Sequence, residues 1–244
     1  GPVAHEAGLI REIFANELSE VDFQESVERL SEAGILTRRG SFVEVAVPLL
    51  ANYLAGQLLR AEQNKTWALF GRLGEAGRAR MLRRLGQLDE NAAAWFWEAA
   101  FGPNGLLQGR QILDNTGALH LVAGAVPARA LSALMGLLDS LSIQERLEIK
   151  GDRRRNLIHA LEQLLFRKIT SHEALRLMGL LAEAENDEVY SNNTTGVFAE
   201  CFLPNHPQVP LPLEQRLMVL REFSDKPGVE SQRIALEAID KGMP

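Results

Sequence analysis

The sequence predicts an all-α chain with one small β-hairpin near its start, followed by helix stacked upon helix. Three observations predict it. Apolar residues recur at i, i+3, i+4 and i+7 through most of the 244 residues, the period of a helix with one buried face. The alternation of a half-buried strand occurs only at Val43, Val45 and Val47. Glycine, proline and capping residues punctuate the helical pattern at short intervals, as they do between paired helices.

Glu6 to Leu18 carries Leu9, Ile10, Ile13, Phe14 and Leu18 and reads as an amphipathic helix. Asp22 to Ala33 follows, with Phe23, Val27 and Leu30 on one stripe. Gly34 stands just after the last periodic residue, where a left-handed helix cap takes a residue without Cβ. Ile35 to Thr37 form the first arm of the hairpin, Arg38-Arg39-Gly40 its tip, and Val43 to Val47 the second arm. Pro48 stops the strand and suits a first helical turn, where its missing N–H would be unpaired anyway. Pro48 to Glu62 is apolar nearly all round, through Leu49, Leu50, Tyr53, Leu54, Leu58 and Leu59, so this helix is expected to be covered on several sides.

Thr66 to Leu73, Gly77 to Leu88 and Asn91 to Phe101 read as three further helices, the last capped by Asp89. Gly71, Gly74 and Gly77 read as a helix end and a turn. A phosphate loop needs a preceding strand and a closing Gly-Lys-Ser/Thr, and here Arg78 follows the last glycine. Trp95 and Phe96 are expected in the core and Trp97 partly exposed, which makes Trp97 a candidate partner-binding residue. Phe101 to Gly105 is a turn, and Leu106 to Leu113, Ala118 to Val126 and Ala128 to Leu138 are helices, with Pro127 opening the third.

Ser142-Ile143-Gln144-Glu145 is a capping box that starts a short helix ending near Gly151. Asp152 is placed to cap a longer helix through Lys168, with Leu157, Ile158, Leu161, Leu164 and Leu165 on its buried side. Thr170-Ser171-His172-Glu173 reads as a second capping box, opening a helix with Leu175, Leu177, Met178, Leu180 and Leu181. Glu183 to Tyr190 is an acidic break, and Asn192 to Thr195 offer caps for a helix carrying Val197, Phe198, Cys201 and Phe202. Leu203 to Pro212 holds Pro204, Pro207, Pro210 and Pro212, too many for a helix or a central strand. Leu213 to Phe223 and Gly228 to Ile239 close the chain as a helix pair. Pairs of this length with short turns suit an armadillo- or HEAT-like helical superhelix.

Composition narrows the function classes. A net charge of −6 argues against a general nucleic-acid binder. Cys201 is the single cysteine, so no internal disulfide can form, and a cytoplasmic location fits. It reads as a small core residue. No apolar run is long enough to span a membrane, and no signal-peptide pattern opens the chain. Gly1-Pro2 without an initiator Met reads as the remnant of a cleaved tag, which implies a piece of a longer protein. None of His5, His120, His159, His172 and His206 stands at metal-ligand spacing with another His or an acid. No metal or cofactor is therefore expected. Lys150, Arg153, Arg154 and Arg155 form the densest basic run, at a helix N-terminus where the macrodipole disfavours cations. They are candidates for an anionic partner, or for pairing with Glu148 and Asp152.

The stretch Asp22 to Arg60 resembles the winged-helix segment that follows the nucleotide-binding module in STAND ATPases, the NLR-like bacterial regulators and defence proteins. The residues that carry the resemblance are Leu30 to Leu36 (LSEAGIL), the hairpin, and Pro48 to Ala55 (PLLANYLA). The resemblance implies a winged-helix-like subdomain over 1–62 and a helical-repeat sensor over 63–244. It also implies an upstream NTPase module and a protein trigger as partners, in a setting such as antiphage defence. The family's Walker motifs have no counterpart here, so no catalytic or cofactor-binding residue carries over. Three other readings stand beside it. One is a free-standing HEAT-like scaffold. A winged-helix DNA reader is disfavoured by Asp22, Glu25, Glu28 and Glu32 against Arg29. An enzyme on a HEAT-like scaffold, such as a helical-repeat DNA glycosylase, lacks the basic groove.

Overall fold

A computed structural model of the chain describes residues 2–40, 42–88, 90–185, 193–206 and 208–242. The expected cap Asp89, the expected cap Asn192, Pro207 and the second half of the acidic break lie outside the described residues. The protein is all-α with a single two-stranded antiparallel hairpin among those residues. It divides into two compact units, Gly1–Glu98 and Ala99–Pro244.

The first unit begins with α1 (Pro2–Phe14) and α2 (Glu20–Glu32). Ser19 caps α2 by accepting the Asp22 N–H at 3.1 Å. Gly34, at φ 71°, ends the helix in the left-handed conformation its sequence position required. Strands β1 (Leu36–Arg39) and β2 (Phe42–Val45) pair Leu36 with Val45 and Arg38 with Val43. Val47 falls outside the strand and precedes Pro48, which opens α3 (Pro48–Ala61) as expected. Next come α4 (Gln63–Arg72) and α5 (Glu75–Leu85). A 3-10 turn at Glu90–Ala93 leads into α6 (Ala94–Phe101). Helix α4 packs on α1 and α3, and α3 also packs on the 3-10 turn. That return of the chain places the expected 62/63 break inside the first unit.

The core of this unit is aromatic. Phe96 sits at its centre, edge-on to Trp67, Trp95 and Trp97 and to Phe70, with ring centroids 5.1–5.5 Å apart. Trp97, expected partly exposed, is wholly buried. It belongs to the apolar stripe Ala93, Phe96, Trp97 and Ala100, all buried, whereas Trp95 lies off that stripe and is half-buried. By contrast α2 buries no residue completely, and α3 buries only Gly56 and Leu59. The expectation that α3 is covered on several sides is thus corrected: it is covered on one.

In the second unit a 3-10 turn (Gly109–Asp114) leads to α7 (Thr116–Val122), α8 (Pro127–Leu138), α9 (Ile143–Leu147) and α10 (Gly151–Leu165). These are followed by α11 (Ser171–Glu183), α12 (Thr194–Glu200), α13 (Leu213–Ser224) and α14 (Val229–Gly242). Pairs stack in order: α7 lies on α10, α8 on α11, and α11 in turn on α13 and α14. Helix α11 packs against α8, α9, α10, α12, α13 and α14, so Leu175, Leu177, Met178 and Leu181 have no exposed surface. Each such side chain contributes about 1.5–3 kcal/mol of apolar burial.

Local signals hold unevenly here. Ser142 and Glu145 form the expected capping box, and Asn193 caps α12 through the Gly196 N–H at 2.7 Å. Thr170 does not form the second box. Its buried hydroxyl instead donates to the Leu164 carbonyl at 2.6 Å, which at the end of α10 also accepts the Arg167 N–H at 3.1 Å. Asp152 does not cap α10 either. The helix begins at Gly151, and Asp152 pairs with Arg155 at 3.1 Å.

Candidate interaction surfaces

The basic run predicted as a partner site is split by helix geometry. Arg153 and Arg155 point outward from α10, and Arg153 reaches Asp114 at 2.9 Å. Lys150 stands 3.5 Å from Glu148. Exposed pairs of this kind contribute little, about 0–1 kcal/mol, and leave these three cations accessible. Arg154 is buried with Leu157, Ile158 and Leu161 on the inner stripe of α10. There it donates to the Leu181 carbonyl at 2.6 Å and lies 3.3 Å from the Glu185 carboxylate. Neither Arg154 nor Trp97 can touch a partner of the folded protein, a correction to both assignments.

Arg154 is one part of a buried polar layer under the end of α11 that sequence reading missed. Glu183 accepts from the buried Ser231 hydroxyl at 2.6 Å and from Lys226 at 3.2 Å, and lies 3.7 Å from the Arg146 guanidinium. Glu185 accepts the Thr195 N–H at 3.1 Å. Together these groups tie α9, α10, α11, α12 and α14. Burial lowers the Arg146 pKa, while the charges of Glu183 and Asp139 oppose that shift. A cleft of about 740 Å³ opens beside this layer, lined by Ile143, Glu183, Thr195, Arg233 and Glu237 among others. Its carboxylates are taken: Glu183 and Glu185 by the contacts above, Glu230 and Glu237 by Arg233 at 2.8 and 2.6 Å.

Arg216 is buried without a carboxylate partner among the described contacts. It donates to the carbonyls of Cys201, Leu203 and Pro204 at 2.6, 2.8 and 3.2 Å. Those acceptors lie at and just past the C-terminus of α12, where the macrodipole is negative. The arginine therefore fixes the start of the proline-rich connector. Cys201 is buried beside it, and desolvation pushes its thiol up to about 12.

Among the described residues, a run of exposed large apolar side chains lies on α3 of the first unit. On α3, Leu49 is 82% exposed, Tyr53 61%, Leu54 45%, Leu58 44% and Leu50 37%. Leu50, Leu54 and Leu58 form one i, i+4, i+8 ridge, and Leu49 and Tyr53 a second beside it. Val43, Val47 and Ile35 extend exposed apolar surface onto the hairpin and its flanks. Isolated exposed leucines need no explanation, but a contiguous set marks an interaction site. The sequence carried the signal, an apolar circumference on α3, though not the fact that half of it stays open.

Among the described residues no group of three or more His, Cys, Asp or Glu could hold a metal ion. No described helix is long and apolar enough to cross a membrane. No family model matches the chain, and no curated protein or solved structure matches it at a significant level.

Proposed function

We propose that this chain is a non-catalytic helical interaction region that recognises a protein and couples that recognition to an NTPase module, as the resemblance to STAND ATPases implies. The open apolar face of α3 carries the proposal. An interior-like helix surface left exposed is the surface a protein partner covers. Its place fits, because α3 directly follows the hairpin of the winged-helix-like stretch. The stacked helices of the second unit supply a long surface of the kind that serves binding. The outward carboxylates of α2 speak against duplex DNA as the ligand.

Site-specific photo-crosslinking tests this. A benzophenone at position 53 should form protein crosslinks at much higher yield than one at exposed Gly136 on α8. Mass spectrometry should place those crosslinks on a polypeptide segment with nucleotide-binding motifs. Equal yields at the two positions, or crosslinks mainly to nucleic acid, would overturn the proposal. Crosslinks only to proteins without such motifs would leave a free-standing scaffold in its place.

A further inference from the structure

We infer that the α3 face takes an amphipathic helix whose apolar stripe is flanked by lysine and arginine. This rests on the interaction reading above and adds the chemistry of the occupant. Three observations select it.

The first is shape. Leu50, Leu54 and Leu58 rise as an i±4 ridge with Leu49 and Tyr53 alongside, and such ridges seat into the grooves of another helix. The second is charge. Glu17 to Glu62 holds eight carboxylates against four arginines, so this segment of an acidic chain is itself strongly acidic. Arg38 and Arg39 are already beside Glu28 and Glu44, at 3.9 and 2.9 Å. Glu20, Asp22, Glu25 and Glu32 on α2 are all exposed. Their field attracts a cationic partner and speeds its encounter.

The third observation is that the same field disfavours the other occupants of an apolar face. A second copy would bring one acidic lobe against another. An anionic membrane surface would be repelled in the same way, since it is polybasic segments that such surfaces attract. The α3 face itself offers only Arg60 among its exposed positions.

Three synthetic helical peptides of equal length test the inference against the whole chain by fluorescence anisotropy. The first has a leucine stripe with lysine flanks, the second the same stripe with glutamate flanks, and the third lysine flanks with alanine in place of leucine. The first should bind, and the second and third should each bind at least about tenfold more weakly. Leu54→Asp should cost the first peptide about tenfold in affinity, and Tyr53→Asp, at a more exposed position, should do the same with an unchanged melting curve. Glu25→Lys with Glu28→Lys, or added salt, should weaken it several-fold.

Equal binding of the glutamate-flanked peptide would overturn the basic chemistry while leaving the interaction reading standing. Equal binding of the alanine peptide would show charge attraction without docking and overturn the inference. Failure of all three to bind would overturn it as well. So would concentration-dependent self-association of the chain that Leu54→Asp abolishes, because a second copy would then be the occupant.

Discussion

Removing Glu183 should be among the most damaging single changes in the second unit. Its side chain and that of Arg146 are 2% and 8% exposed, and they face each other at 3.7 Å. Glu183→Ala leaves the guanidinium buried without its nearest counter-charge, and leaves the Ser231 hydroxyl, bound at 2.6 Å, without its acceptor. Breaking one side of a buried pair costs about 3–5 kcal/mol. Lys226 adds little to that figure, because its side chain is 40% exposed and can rehydrate. Arg146→Met should cost less, since Glu183 keeps Ser231 and Lys226. The double variant Arg146→Met, Glu183→Leu should then cost less than Glu183→Ala alone, because the buried charges leave together; the orphaned Ser231 still costs about 1–3 kcal/mol. Urea unfolding followed by far-ultraviolet circular dichroism reads all three. With a slope of about 2 kcal/mol per molar, Glu183→Ala should lower the midpoint by roughly 1.5–2.5 M. A loss below about 1 kcal/mol, or a double variant that costs the sum of the singles, would refute the buried-pair account.

Leu54→Ala on the open face of α3 should cost under about 1 kcal/mol, while Leu177→Ala inside α11 should cost about 2–5 kcal/mol; thermal melts of both variants check the contrast. Two helix glycines should respond with opposite signs. Gly136→Ala at an exposed position of α8, with open space around its Cβ, should stabilise by about 0.5–1 kcal/mol, whereas Gly179→Ala should destabilise by about 1–3 kcal/mol. The new methyl in α11 would run into the Phe223 ring, and calorimetry would show the sign. Glu145 is pulled from its ordinary 4.5 to about 2, first by Arg110 and then by its capping bonds to Ser142. A depressed carboxylate contributes stability that is present above pH 4.5 and lost as pH falls toward 2. Glu145→Gln should therefore flatten the fall in melting temperature across that window, and an unchanged slope would count against it. Cys201 should react with a disulfide reagent only on unfolding, because its thiolate is suppressed by burial; a fast native-state reaction would contradict that.

What could be read from the sequence depended on how local the cause was. Gly34, Pro48, the Ser142–Glu145 box and the Asn193 cap are decided within four residues, and each stands where the sequence placed it. Thr170 carries the same spacing as Ser142, yet its hydroxyl goes to Leu164 because the end of α10 buries it. The buried cations were legible from position. Arg154 lies with Leu157, Ile158 and Leu161 at i, i+3, i+4 and i+7, and Arg216 with Val219, Leu220 and Phe223 at the same spacing. A polar residue on an apolar stripe is inside, and its partners must then be sought. The densest basic run hid this, because three adjacent arginines read as one surface although 100° of helix turn separates each from the next.

Helices α3 and α11 show where that reasoning stops. Both carry broad apolar faces, bounded on α11 by His172, Glu173 and Arg176, and by periodicity alone both faces belong in an interior. Helix α11 meets neighbours around its whole apolar face and buries it. Helix α3 meets them on one side and exposes Leu49, Tyr53, Leu54 and Leu58 to water. The apolar pattern of a helix does not separate the two cases, because it records that a surface is to be covered and not by what. The distinguishing signal is in the flanks. The segments around α11 are apolar helices that enclose it, whereas α3 follows the acidic α2 and a short hairpin whose Ile35 and Val43 are themselves exposed. The apolar half of α3 that its own neighbours leave open is therefore the surface on which the proposed recognition of a partner rests.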